Sequence, residues 1–442
     1  MLGITWLSFN VILAIAGIFY VLDYFGFLRT IPLVNTLSGK MPRNPVFLMG
    51  AIVLVAVGMG WVSVGSVSDT VDNESPGPEV TTDIKDQQTV NLEEKSGGGG
   101  WSEKTLIFTN AHEIHSYNND TKSMKVADMN NDGHLDVIAG NNGQIDCWYE
   151  NNSDGTFTAH EININSEWAN SIAIYDLNND GYLDIICGTG GVNSWYENNG
   201  DGTFTPHDIH SHEKDTQAIK VADMNKDGHP DIIVGNAFEY KNYWYENNSD
   251  GTFTAHEIHN NAKNTYAIEL ADLNNDGYLD YIAGNGNENY WYENSGDNTK
   301  FTAHEIHTNP DWTKSVDVAD MNGDNRIDIL IGNSGYKNCW YENSGDDTFH
   351  EHEIHSKSEY TRSLKVNDIN NDGHLDVITG VNNDSNYFYE NNGNNTFTAH
   401  KMHSNKKRTY SIEVIDFNND GIKDIIVGNW DTNNWYEADF VH

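Results

Sequence analysis

The chain is 442 residues long and carries 66 acidic against 25 basic residues, a formal net charge of −41. That balance excludes a nucleic-acid binder built on phosphate contacts, which needs a basic footprint. A hydrophobic content of 38% makes most of the chain globular in character. The three cysteines, Cys147, Cys187 and Cys339, are too few and too odd in number for a disulfide framework. They read as small buried residues.

Residues 1–67 differ in composition from everything after them and read as a membrane anchor of two transmembrane helices, about 2–28 and 46–67. The second stretch is uncharged throughout and would span about 33 Å as a helix, enough for a bilayer core. The connector 29–45 holds Arg29, Lys40 and Arg43 and is expected on the cytoplasmic side. Both ends of the hairpin then face outward, and the rest of the chain is extracellular or periplasmic. Residues 68–100 are acidic, contain Pro and Gly and lack apolar runs, so a flexible tether is expected there.

From residue 101 onward one unit is written seven times. Acidic loops begin at Asp128, Asp176, Asp223, Asp272, Asp320, Asp368 and Asp416. Each is followed by an apolar run such as "DVIAG", then an aromatic signature beginning at Trp148, Trp195, Trp244, Trp291, Trp340, Phe388 or Trp435. A turn such as "NNSDGTF" and a strand such as "FTAHEIH" complete the unit. Four short strands per unit, repeated seven times, predict an all-β seven-bladed β-propeller over 101–442. The last unit stops after its third strand, and a spare fourth strand, "IFTNAHEIH", precedes the first unit. Pairing the two would close the ring and leave fewer open edges.

The run "ADMNNDGHLDVIAG…WYENNSDGTFTAHEI" resembles the FG-GAP/VCBS repeat of integrin α-subunit propellers, some fungal lectins and many microbial surface proteins. The resemblance covers all seven units and not the membrane hairpin. It implies a calcium-binding propeller used for adhesion or recognition, without fixing the ligand.

Within each loop, positions 1, 3, 5 and 9 carry side-chain oxygens and position 7 offers a carbonyl, a spacing that wraps hard oxygens around calcium. The first unit supplies Asp128, Asn130, Asp132, His134 and Asp136; the second Asp176, Asn178, Asp180, Tyr182 and Asp184; the third Asp223, Asn225, Asp227, His229 and Asp231. The fourth supplies Asp272, Asn274, Asp276, Tyr278 and Asp280, and the fifth Asp320, Asn322, Asp324, Arg326 and Asp328. The sixth supplies Asp368, Asn370, Asp372, His374 and Asp376, and the seventh Asp416, Asn418, Asp420, Ile422 and Asp424. Up to seven Ca2+ ions are expected, at the moderate affinity that suits extracellular calcium. Position 6 is glycine for the tight turn, except in the fifth loop, where Asn325 stands.

The "HEIH" strings at His112, His256, His304 and His352 lack the HExxH spacing of a zinc protease. On a regular strand their two histidines point to opposite faces, so a packing role is expected. The recurring Trp is expected to pack between blades. No nucleophile motif, phosphate loop or carboxylate pair points to an enzyme.

On the face opposite the ion loops, six residues before each first aspartate, stand Lys122, Asn170, Gln217, Tyr266, Lys314, Arg362 and Tyr410, each followed by Ser or Ala. Small residues suit the hub, and the longer ring is expected to line a channel mouth. Lys122, Lys214, Lys263, Lys314, Lys357, Arg362, Lys406, Lys407 and Arg408 make this face less negative than the rest. Trp168, Trp312 and Tyr360 add aromatic anchors. A protein or acidic-glycan ligand is expected here. A structural subunit of a membrane complex and a lectin are the alternatives.

Overall fold

The computed structural model describes residues 88–94 and 102–441, apart from the short stretches 116–119, 143–145, 163–168, 211–214, 238–240, 260–263, 297–299, 309–311, 357–358 and 403–406. The chain divides into two units, Met1–Thr82 and Asp83–His442, and every described residue belongs to the second. The expected membrane helices and the connector 29–45 lie outside the described residues. Among the described residues all regular structure is β strand, and no helix is long and apolar enough to cross a membrane.

The architecture is propeller-like, built of repeated four-stranded antiparallel sheets. In the third repeat, Thr216–Ala222 pairs with Asp231–Asn236, that with Asn242–Asn247, and that with Phe253–His259. The same order recurs in the other repeats. The first strand of each repeat lies innermost against its counterparts in the repeats before and after, and Lys407–Ile415 of the last packs against Thr121–Ala127 of the first. Serines at the hub fasten neighbours. Ser123 Oγ accepts from the Ile172 N–H at 3.1 Å, and Ser411 Oγ accepts from the Met124 N–H at 3.1 Å across the seam between the chain's two ends.

That seam is closed by strand exchange. Ser102–His115 lies antiparallel to Asn433–Val441, with Leu106 opposite Phe440 and His112 opposite Trp435. An additional strand, Gln88–Glu94, pairs with Ser102–Phe108. Within the span expected as a tether, 68–100, the described residues are Gln88–Glu94, "QTVNLEE", and they add one more strand to the outer edge of the closing sheet.

The core is a series of wedges between consecutive sheets. The aromatic pair of the third strand explains it, because adjacent residues on a strand face opposite ways. Trp148 packs forward with Ile172, Ile185 and Tyr196 of the second repeat. Tyr149 packs backward with Phe417, Ile426 and Trp435 of the last. Each repeat does the same, so every Trp meets the next repeat's Tyr. Where Phe388 replaces Trp, Leu106 and Phe108 of the closing strand share the wedge. Cys147, Cys187 and Cys339 are buried and form no disulfide.

On the face opposite the ion loops a buried polar relay ties each repeat to the next. Asn193 Oδ1 accepts from the Thr189 N–H, Asn193 Nδ2 donates to Thr216 Oγ1 at 2.9 Å, and Thr216 donates on to Asn236 Oδ1 at 2.8 Å. Asn433 donating to Thr121 carries the relay across the chain ends. It fails at two junctions: between the first two repeats Asp146 and Ala169 replace the Asn and Thr and Asp146 Oδ2 is buried without a hydrogen-bond partner, and between the sixth repeat and the last Asn386 Nδ2 is buried without one.

Candidate functional site

Each acidic loop leaves the end of an innermost strand and returns as the second strand. The first loop is representative. Asp128 accepts from the N–H groups of Asp132 at 3.1 Å and Gly133 at 2.9 Å, and Asp132 accepts from the His134 N–H at 2.8 Å. Two left-handed residues make the turn: Asn131 (φ 59°) and Gly133 (φ 91°). The fifth loop exchanges their order, with Gly323 at φ 76° and Asn325 at φ 66°, so asparagine does hold the turn there. Position 9 is fully buried: Asp136 Oδ2 accepts from the Met129 N–H at 3.0 Å and Oδ1 from the Asn151 N–H at 2.9 Å. Burial pushes these carboxyls up, Asp136 to about 6 and Asp376 to about 8, although their backbone N–H partners pull the other way.

Sequence reasoning missed what braces the loop from outside. Asn130 Nδ2 donates to Glu150 Oε1 at 3.1 Å, and Glu150 Oε2 lies 2.7 Å from His160 Nε2. The His160 ring stacks on Trp148 with centroids 4.3 Å apart. Glu150 is the third residue of "WYEN", and its recurrence two residues after each Trp was the available signal. The asparagine that follows also spans repeats: Asn198 Nδ2 donates to the Leu183 carbonyl and to the Met129 carbonyl of the preceding loop.

The "HEIH" histidines behave differently from expectation. His256 lies opposite Trp244 and His259 opposite Asn242, because the register shifts at Ile258. This β-bulge puts both rings on one face. His256 stacks on Trp244 at 4.3 Å, and His259 on Tyr292 of the next repeat at 4.1 Å. Both serve packing.

Among the described residues no three His, Cys, Asp or Glu side chains gather as a preformed metal centre. The aspartates of the loops act instead as acceptors for loop N–H groups. Each carboxylate oxygen in such a bond retains acceptor capacity, and three carboxylates and an amide oxygen within nine residues suit a hard divalent cation. The fifth loop differs: Arg326 pairs with Asp324 and donates from Nε to the Asn343 carbonyl.

At the other end of the innermost strands, about 20 Å away by strand rise, a cavity of about 580 Å³ opens along the hub. Lys122, Asn170, Gln217, Tyr266, Lys314, Arg362 and Tyr410 all line it. Its floor is an ionic belt in which Lys125 Nζ lies 2.5 Å from Glu413 and Lys220 Nζ 2.5 Å from Glu269. At the mouth, Lys122 pairs with Asp120 at 3.0 Å, and Asp215 accepts from Gln217 at 2.6 Å. Lys314 Nζ lies 3.3 Å from the Tyr266 ring centroid and 4.9 Å from that of Trp312. Arg408 faces Trp430 at 5.0 Å. Trp312 is 55% and Tyr360 60% exposed. Lys214, Lys263, Lys357, Lys406 and Trp168, and the side chain of Lys407, lie outside the described residues.

Six overlapping stretches match the FG-GAP-like repeat: residues 128–187, 176–234, 223–283, 272–331, 320–379 and 368–427. The chain belongs to the FG-GAP-like repeat family. Each matched stretch runs from one acidic loop through the next and so spans one full repeat and the second strand after it. No curated protein sequence matches the chain. Similar solved structures include BBS1N in complex with ARL6DN, soaked with lead (TM-score 0.54, 9% identity, covering 75% of this chain and 96% of that one). The same complex soaked with mercury gives a TM-score of 0.55 at 9% identity, with the same coverage. A lectin from Agrocybe aegerita that recognises non-reducing terminal N-acetylglucosamine gives 0.49 at 19% identity, covering 72% of this chain and 90% of that one. At these identities the likeness to BBS1N concerns the fold alone.

Proposed function

We propose that this FG-GAP-like repeat protein is a membrane-anchored recognition or adhesion protein. In this reading residues 101–442 form a seven-bladed, calcium-stabilised propeller outside the membrane and bind a protein or glycan ligand at the cavity mouth. The observation that carries the reading is the contrast between the two faces. The loop face repeats one donor set seven times, as a structural device would. The mouth residues differ from repeat to repeat and place cations and exposed aromatic rings around a single cavity.

Positions 1, 3, 5 and 9 and the carbonyl of position 7 would hold each ion. Calcium would supply positive charge where the loop carboxylates repel one another. The chain's own contribution is the bracing of six of the loops by the Asn–Glu–His–Trp chain; in the sixth, Phe388 stands for the Trp and Asn370 bonds Asp372 instead of Glu390. The reading is non-catalytic.

Thorough chelation is expected to lower the melting temperature of the full chain, with recovery on adding calcium but not magnesium at equal concentration. An unchanged melting temperature removes the ions from the account. Replacing Lys314 and Arg362 together by Glu is expected to abolish binding of the protein to its target surface while leaving melting unchanged. Unchanged binding removes the mouth as the recognition face.

A further inference from the structure

We propose that the cavity mouth is a site for a carboxylate-bearing sugar, with the carboxylate held by Lys314 and Arg362 and one face of the sugar ring laid on Trp312. The inference rests on the recognition reading above and names the ligand class for the same cavity.

Lys314 and Arg362 stand at the same position of consecutive innermost strands, whose direct packing makes neighbours of residues 48 apart in sequence; Lys314 leans on Tyr266 and Arg362 toward Tyr410. Both are partly buried, and among the described residues neither has a carboxylate partner. Arg362 Nε is buried without a hydrogen-bond partner. Of the other described mouth cations, Lys122 pairs with Asp120, and Arg408 donates to Asn383 and faces Trp430. Two adjacent cations taken partly out of water without a counterion are costly, and an anion from outside offsets that cost. An arginine beside the site supplies the planar fork that matches a carboxylate.

The deeper charges do not serve this purpose. Lys125 and Lys365 face Glu413, and Lys220 faces Glu269, leaving the floor internally paired. Asp317, one turn of side chains below Lys314 on the same strand, accepts from the Val366 N–H. An anion is therefore drawn to the rim.

Aromatic geometry selects the rest of the ligand. Trp312 stacks on Tyr266 with centroids 5.7 Å apart and remains 55% exposed, offering one flat apolar face beside Lys314. A pyranose ring has an apolar C–H face that matches such a platform, whereas a flexible acidic side chain does not. The cavity volume of about 580 Å³ falls within the range of about 300–1,000 Å³ usual for small-ligand sites.

Proton linkage gives an independent readout. Burial, and then the Arg362 guanidinium, pull the Lys314 ammonium down to about 7. The groups around it are Arg362 and Tyr266 on the flanking strands and Trp312 on its own strand. A bound carboxylate would restore the Lys314 charge, so binding at pH 8 takes up a proton.

The test is calorimetry on the full chain in detergent with D-glucuronate, D-glucose, acetate and a hexaglutamate peptide, in two buffers of different ionisation enthalpy. Glucuronate is expected to bind with proton uptake at pH 8, at least tenfold tighter than glucose or acetate. Lys314→Met and Trp312→Ala should each weaken it at least tenfold, and Lys314→Arg should retain binding but lose the proton uptake. Lys241→Met, just before the third strand of its repeat and paired with Glu257, should change nothing. Glucuronate binding no tighter than glucose or acetate, or indifferent to Lys314→Met, overturns the proposal. Hexaglutamate binding that depends on Lys314 and Arg362, without glucuronate binding, overturns the sugar class and leaves the recognition face standing. If no probe binds and Lys314→Glu with Arg362→Glu leaves target-surface binding intact, both readings fall.

Discussion

Asp146 is a single charge where the other six repeats carry an amide. Burial pushes its carboxyl up to about 7, against the pull of the Asn141 N–H. A folded-state value above the ordinary 3.8 means the folded protein holds this proton more tightly. Its contribution to stability therefore falls as pH rises from about 4 to about 7, and the cost is full above that. Asp146→Asn with Ala169→Thr rebuilds the relay and is expected to gain about 1–3 kcal/mol at pH 8, the scale of one unsatisfied buried group. Denaturant melts should show the charge-dependent part of the gain fading by pH 4. Arg326 is the second informative residue. Its pairing with Asp324 already occupies one expected ligand, so under the calcium reading the fifth loop is the weakest site. Arg326→His, the residue of the first, third and sixth loops, is expected to raise the number of ions bound at limiting calcium by one, read by equilibrium dialysis.

Among the elements, the second strand is the most constrained, because the next repeat's innermost strand crosses over its terminal glycine. A Cβ at Gly235 would lie 2.6 Å from Ile268 Cγ2 and 2.9 Å from Thr265 Cγ2. At Gly140, where Ala169 replaces the threonine, the closest atom would be 3.2 Å away. Gly235→Ala is expected to cost about 1–3 kcal/mol through overpacking, and Gly140→Ala clearly less, as measured by urea midpoints. The fourth strand shows how an element exceeds its pattern. Alternation alone sends the two histidines of "HEIH" to opposite faces. The bulge at Ile258 overrides it, since both rings gain aromatic partners in the forward wedge.

The whole molecule depends on its seam. Every wedge is shared between neighbouring repeats, so the two at the seam are complete only when the ends meet. Leu106 and Phe108, from the strand before the first repeat, fill the wedge between the sixth repeat and the last. Leu106 is fully buried, and Leu106→Ala is expected to cost about 2–5 kcal/mol. The closing strand is held by its ladder with Asn433–Val441 and by these buried side chains, so this loss should appear as faster proteolysis within Ser102–His115 as well as a lower melting temperature. Equal protection of that segment in the variant would mean the seam opens independently of the wedge.

The amino-acid sequence by itself determined the repeat, the four strands of each unit, the acidic loops and the ring of long residues at the hub. Each of these is written in local spacing: periodic apolar runs, turn glycines and alternating oxygens act over a few residues. It also signalled the spare strand, because one unit lacked its fourth. Only the tertiary structure decided that Gln88–Glu94 joins the closing sheet, that the "HEIH" rings share a face, that Asp146 lacks its partner and that Lys314 stands beside Arg362 without a counterion. Those facts arise where one repeat meets the next. They depend on which side chains two separate segments present to each other, and no single segment's pattern contains that information.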